Sequence, residues 1–378
     1  MDATVIAALR RFLPDARRTG PPLSQDQGRA VWALTHCRTP ALGGRAFVCQ
    51  DCRRAQFAWH SCNHKACPQC GRQATADWVA RELRKRIVAP YFLVTFTLPA
   101  QLRGCFFGPH AREAYDLFFA AVSAALAEKL STDKGFRAQV HGFTAVLHTW
   151  NQRLLFHPHL HCLVPGVGLD PQGQLVRVRQ PDFLVFLPHL RAAFRQHLRH
   201  QLDSRGWQVD PVVWTLDWGV QIQPVGSGAA AIKYLGTYVA RTAIGDSRIQ
   251  QVTDHGVTFH WRDRSDGNRL RSMTLSGVEF VGRYLRHVLP TGLRSIRYYG
   301  FCHPAARANR LRIQFLAGQP VDLGAATSEL HRPPPPVPCC SRCQGVLRWV
   351  ADIPAPYRQR GPPSTPPPPQ APQPSIAA

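Results

Sequence analysis

Six cysteines, Cys37, Cys49, Cys52, Cys62, Cys67 and Cys70, crowd into 34 positions near the start of the chain, and the other six are spread over the rest of its 378 residues. Thiols gathered so densely are held either by disulfides or by metal. The opening "MDATVIAALRRFLPD" has too short an apolar core and the wrong flanks for a secretory signal, so a reducing cytosol is the expected setting and Zn²⁺ the better account. The pairs "CQDC" (Cys49, Cys52) and "CPQC" (Cys67, Cys70) are CxxC knuckles, each of which places two thiolates on one turn; together they would complete one tetrahedral four-cysteine site. Cys37 and Cys62, with His36, His60 and His64 nearby, would form a second site or substitute in the first, and the spacing leaves both open. The segment is thin in apolar residues, so metal would supply folding energy and the module is expected to unfold without it.

The charge speaks to partners. Lys and Arg total 46 against 23 acidic residues, a formal net charge of +23. Such an excess opposes compaction by self-repulsion and is most simply explained by a polyanionic partner such as nucleic acid. No run of 18 apolar residues exists, which argues against a membrane span and for a soluble cytoplasmic protein. With 44% hydrophobic residues the chain is long enough for about two cored domains. The basic run "RELRKRI" (81–87) reads as a helical exit from the cysteine module, suited to docking on DNA.

After this module the periodicity changes. "YFLVTFTLP" (91–99) is a β-branched and aromatic strand closed by proline, 111–130 has helical spacing, "VHGFTAVLHTW" (140–150) is a strand and "HPHLHCLVPG" its neighbour. A helix follows at about 188–202, a strand at 217–224, a helix at 226–242 opened by Gly-Ser, and short strands near 248–252, 256–262 and 271–275. The mixture predicts an α+β fold, with an antiparallel central sheet flanked by helices and preceded by a small zinc-binding module. The segments expected are an N-terminal helix and zinc-binding domain over 1–88, the main domain over 89–300, an extension with a Cys motif over 301–353, and a disordered Pro-rich tail over 354–378.

Within "LLFHPHLHCLV" (154–164) three imidazoles interrupt an apolar strand. Side chains alternate faces along a strand, so His159 and His161 point the same way, about 7 Å apart, with His157 on that face and Leu160 and Cys162 on the other. Two imidazoles side by side suit a divalent metal with positions open for substrate. His148 on the preceding strand, or Gln221 or Gln223 on a later one, would supply a third ligand. In "KYLGTYVAR" (233–241), Tyr234 and Tyr238 lie at i and i+4, stacked on one helix face. A phenol is a poor nucleophile at neutral pH unless its target is polarised, and a phosphodiester on a histidine-held metal meets that need. Arg241, one turn beyond Tyr238, could hold a phosphate or stand as a solvated helix-terminal cation, and the sequence leaves both open.

HPHLH followed about 75 residues later by YxxxY resembles the HUH two-tyrosine endonucleases. More closely, the chain resembles the rolling-circle insertion-sequence transposases of the IS91 type. The likeness runs through "SCNHKACPQC", "FTLP", "HPHLHCLVPG", "YLGTYVARTAI", "VTFHWRDR", "MTLSGVEFVGRYLRHVLPTGLRSIRYYG" and the C-terminal "CSRC". "FCHPAARANR" and the long Pro-rich tail depart from it. The resemblance implies an HUH nuclease in which His159 and His161 hold Mg²⁺ or Mn²⁺ and Tyr234 and Tyr238 attack single-stranded DNA, giving 5′-phosphotyrosine links. It also implies transposon ends and target DNA as partners, host replication proteins beside them, and a nucleoid-associated place in the cytoplasm. A plasmid-type replication initiator or relaxase would share this chemistry. A zinc hydrolase using HxH would leave the paired tyrosines and the charge unexplained, and a non-catalytic zinc-finger protein would explain only charge and cysteines.

Overall fold

The computed structural model describes residues 3–239, 243–321 and 338–356. The N-terminal helix α1 (Val5–Thr19) starts where the Thr4 hydroxyl accepts from the Ala7 N–H at 3.1 Å, and it buries Val5, Ile6, Leu9, Phe12 and Leu13 on one stripe. Ser24 and Gln27 form a reciprocal capping box that opens α2 (Gln25–Thr35). A hairpin of β1 (Gly44–Cys49) and β2 (Ala55–Trp59) follows, and then α3 (Arg72–Lys85), into which the "RELRKRI" run folds as far as Lys85.

The central sheet begins with β3 (Tyr91–Thr97). Helix α4 (Ala111–Thr132) leads to the long strands β4 (Gly142–Trp150) and β5 (Phe156–Pro165), and a small pair, β6 (Val167–Leu169) and β7 (Leu175–Arg177), precedes α5 (Leu187–Asp203). Strand β8 (Gly219–Pro224) completes one edge and is followed by α6 (Ala229–Val239). Next come β9 (Ile249–Val252), β10 (Gly256–Asp263), β11 (Arg269–Ser276), α7 (Gly277–Leu285), β12 (Ile296–Gly300), α8 (Arg307–Leu316) and β13 (Leu347–Ile353).

The five-stranded sheet runs β12-β4-β5-β3-β8 with every neighbouring pair antiparallel. Its two faces differ. Phe92, Val94 and Phe96 of β3, Leu147 of β4, and Leu160, Cys162 and Val164 of β5 point into the main core under α4 and α5. The opposite face carries Tyr91, Leu93, Val146 and Leu163 against Trp78 of α3 and Ile232 and Leu235 of α6, and beyond them it opens into a cleft. The α+β class and the antiparallel central sheet agree with the sequence reading.

The packing crosses the expected segment boundaries. The strands near 248–275 do not extend the central sheet; β11-β10-β9 form their own sheet, whose apolar face packs with α1, α2 and α7. Strand β13, from the C-terminal extension, pairs antiparallel with β1, giving a third sheet in the order β13-β1-β2. Most of the Pro-rich tail lies outside the described residues. Among the described residues no helix is long and apolar enough to cross a membrane.

Candidate metal centres and catalytic cleft

The two N-terminal knuckles are expected to share one ion, but the structure separates them. Cys67 and Cys70 join Cys37 and Cys62, whereas Cys49 and Cys52 join Cys340 and Cys343 from the far end of the chain. The hairpin explains why. Cys37 and Cys62 flank its base, where the Arg38 N–H donates to the His60 carbonyl, and Cys49 and Cys52 form its tip. Strands of this length span roughly 17 Å at about 3.3 Å per residue, far beyond the reach of one ion.

In the base group the sulfurs of Cys37 and Cys70 are 3.6 Å apart, those of Cys67 and Cys37 3.6 Å, and those of Cys62 and Cys70 3.8 Å. A tetrahedron with metal–sulfur bonds near 2.3 Å has edges of about 3.8 Å, and a disulfide would need about 2.05 Å. The donor set therefore fits Zn²⁺. Burial pushes the Cys37 thiol up to about 11, and donation of the Cys67 S–H to the Cys62 sulfur together with burial raises Cys67, so binding must displace held protons. His36, His60 and His64 stay outside both groups.

On the open face of the central sheet, His148 stands directly across from His159 in the β4–β5 register, and one ring nitrogen from each of His148, His159 and His161 lies within 4.8 Å of the others. Of the three candidates for a third ligand, His148 is the one brought to the pair. Gln221 and Gln223 line the same cleft from β8, exposed on its rim. The Nδ1 of His159 lies 2.7 Å from the His157 carbonyl oxygen, which puts the proton there and leaves Nε2 with its lone pair. His161 Nδ1 pairs with the Thr95 hydroxyl at 2.9 Å. His157 shares this face, but its Nδ1 accepts from the Arg103 guanidinium at 2.9 Å.

Burial holds His159 down at about 4 and His161 at about 3, and it puts His148 well below the ordinary histidine range; the Arg264 guanidinium adds to all three shifts. At neutral pH the three rings are therefore uncharged, the form that binds metal.

Tyr234 reaches the same cleft from α6. It is 36% exposed, with its ring centroid 6.3 Å from that of His161. The helix lies close because Gly236 faces α3: a Cβ there would come within 2.2 Å of Val79 Cγ2. Ile232 and Leu235 are buried under the helix, which leaves Tyr234 toward the opening. Tyr238 is in α6, but its side chain, like all of Arg241, lies outside the described residues.

Periodicity did not reveal the far wall, the end of β10 and the turn after it, where Trp261, Arg262, Asp263, Arg264 and Ser265 enclose with the histidines a cleft of about 1010 Å³. Arg248 ties it in place, donating to the His260 carbonyl at 2.8 Å and to the Gln152 carbonyl at 2.5 Å. Arg153 stacks over Trp261, its guanidinium 5.5 Å from the ring. The motif "VTFHWRDR" marked this segment without indicating where it would sit. Cys340 and Cys343 carried a readable signal, the same CxxC spacing as the N-terminal knuckles.

Two family models match the chain: "Putative transposase" over residues 142–310 and "Transposase zinc-binding domain" over residues 8–98. The "Putative transposase y4qJ" of Sinorhizobium fredii is 35% identical over 331 residues, covering 82% of this chain and 81% of that protein. The "Transposase for insertion sequence element IS801" of Pseudomonas savastanoi pv. phaseolicola is 29% identical over 307 residues, covering 76% of this chain and 71% of that protein. No solved structure gives a significant match.

Proposed function

The chain belongs to the IS91-type insertion-sequence transposases, and from that premise we propose that it cuts and rejoins single strands of DNA through a 5′-phosphotyrosine intermediate. The observation that carries the reading is Tyr234, an exposed phenol beside three neutral, inward-facing histidines in one cleft.

In this reading the Tyr234 oxygen attacks the scissile phosphorus; the bond to the 3′ oxygen breaks, and that oxygen leaves as a hydroxyl. A Mg²⁺ or Mn²⁺ ion held by His148, His159 and His161 would polarise the phosphate and offset the charge developing on its oxygens. Thr95 and the His157 carbonyl keep His161 and His159 turned for this task. Arg262 and Arg264, exposed on the cleft wall, hold flanking phosphates, and the half-buried Trp261 offers a ring to an unstacked base. Gln221 and Gln223 belong to the strand path on the opposite rim. Tyr238, one turn along α6, serves the second DNA end, so that neither end is released during transfer. The zinc-bearing base of the hairpin and the exposed Arg81 and Arg84 of α3 take part in docking the transposon end. Target DNA and host replication proteins are the further partners, and the nucleoid is the expected place of action.

The test is to incubate the protein with labelled single-stranded DNA and Mg²⁺, denature it, and look for label on the polypeptide. A covalent adduct is expected from the parent protein. Its absence with substrates carrying the element's ends, under conditions where DNA is bound, would refute the nuclease reading. Transfer of the held strand to a second molecule separates a transposase from a replication initiator or relaxase.

A further inference from the structure

We propose that Cys49, Cys52, Cys340 and Cys343 hold a second zinc ion, which closes the tip of the β1–β2 hairpin with residues from the other end of the chain. The sulfurs of Cys49 and Cys343 lie 3.5 Å apart and those of Cys52 and Cys340 3.7 Å, close to the edge of a zinc–thiolate tetrahedron and far beyond a disulfide.

The backbone gives independent support. Both pairs fold as the same knuckle: the N–H of the first cysteine donates to the carbonyl five residues on, Cys49 to Arg54 at 3.0 Å and Cys340 to Gly345 at 2.8 Å. In each the residue after the second cysteine is left-handed, Arg53 at φ +57° and Gln344 at φ +61°. Gly71, after the Cys67–Cys70 knuckle, adopts the same geometry at φ +85°. Two non-glycine residues accept that conformation here, at a cost the surroundings must meet. The Arg342 N–H points at Cys340 Sγ, 3.4 Å away, and such N–H groups stabilise a thiolate. Gly345 passes so close over the first knuckle that a Cβ would sit 2.1 Å from Asp51 Oδ2 and 3.1 Å from Cys49 Sγ.

Packing alone does not account for this sheet. Its tip core is Cys49, Cys340 and Leu347 with Phe47 against them, and five of the seven residues of β13 are exposed. So small an apolar cluster cannot order three strands, and a structural metal is the usual substitute. Four thiolates in a tetrahedral arrangement select zinc over hard divalent cations.

Elemental analysis of the full chain purified from zinc-supplemented cells should find two zinc ions per molecule. Cys343→Ser should retain one. Native alkylation followed by peptide mapping gives a readout that does not depend on the variant folding: in the parent protein Cys49, Cys52, Cys340 and Cys343 should react far more slowly than the exposed Cys339. In Cys343→Ser, Cys49, Cys52 and Cys340 should become reactive while Cys37, Cys62, Cys67 and Cys70 stay protected. One zinc per parent chain, iron in place of the second zinc, or Cys340 and Cys343 reacting as fast as Cys339 would each overturn the proposal.

Discussion

Gly236→Ala tests how α6 presents its tyrosine. In an open helix this change stabilises by about 1 kcal/mol, because alanine loses less backbone freedom than glycine. Here the added Cβ would sit 2.2 Å from Val79 Cγ2, more than 1 Å inside ordinary contact, with the Trp78 ring 3.6 Å away behind it. A helical valine has one strongly preferred rotamer, so Val79 cannot turn aside cheaply, and overpacking of this kind costs about 1–3 kcal/mol. With the clash near the top of that range, the variant should lose about 1–2 kcal/mol net and shift α6 off α3, moving Tyr234 relative to the histidines. Denaturant unfolding measures the first effect and covalent adduct yield the second. In a Val79→Ala background the obstructing methyl is gone, so Gly236→Ala should there stabilise by about 1 kcal/mol and adduct yield should recover. The implied coupling is about 2–3 kcal/mol. If Gly236→Ala stabilises equally in both backgrounds, the close approach of α3 and α6 does not govern the cleft.

Three further outcomes are expected. His159→Ala and His161→Ala should each lower adduct formation at least a hundredfold while filter binding to DNA persists, since binding rests on arginines; adduct at the parental rate would remove the histidines from the metal. Tyr234→Phe and Tyr238→Phe should each still form adduct but lose most transposition, and the double variant should form none; one dead and one fully active single variant would leave a single nucleophile. Stability should fall in acid through His287, which burial holds at about 4 while its Nε2 donates to the Leu154 carbonyl at 3.2 Å. Its folded value lies below the unfolded one, so its contribution is complete above pH 6.5 and is lost as pH falls toward 4, by up to about 3 kcal/mol; His287→Gln should make unfolding midpoints fall less steeply over that window, in which His148, His159 and His161 still contribute, and an unchanged slope would contradict the assignment.

Local pattern carried most of the elements. The β-branched and aromatic run "YFLVTFTLP" and the apolar run around "HPHLHCLVPG" gave β3 and β5 nearly to the residue, because such side chains fill the buried faces of a strand whatever its neighbours are. Register was a different matter. Nothing along the chain said that His148, rather than Gln221 or Gln223, would stand opposite His159, since that depends on how two strands slide past each other. Nor does spacing reveal that His157, on the same face, is engaged by Arg103. The pairing of knuckles failed for the same reason: proximity in sequence favoured one site, whereas the hairpin holds its base and tip apart and takes its partners from residues 340 and 343. Helix α7 and strand β12 lay inside a quoted motif, yet their partners, α1 and β4, are more than a hundred residues away.

The pairing of β13 with β1 also sets an order of events during synthesis. Cys52 and Cys340 are 288 residues apart in sequence, so when the hairpin leaves the ribosome its outer partner has not yet been made. Strands β3, β4 and β5 and the tyrosine helix can all assemble in that interval. A frameshift or early stop after α6 would therefore release a chain that carries His148, His159, His161 and Tyr234 with its hairpin tip unclosed, leaving Cys49 and Cys52 open to oxidation or to a foreign metal. Pairing of β13 thus reports that residues 347–353 have been made, and copies that stop before them would be distinguished by reactive thiols at the hairpin tip.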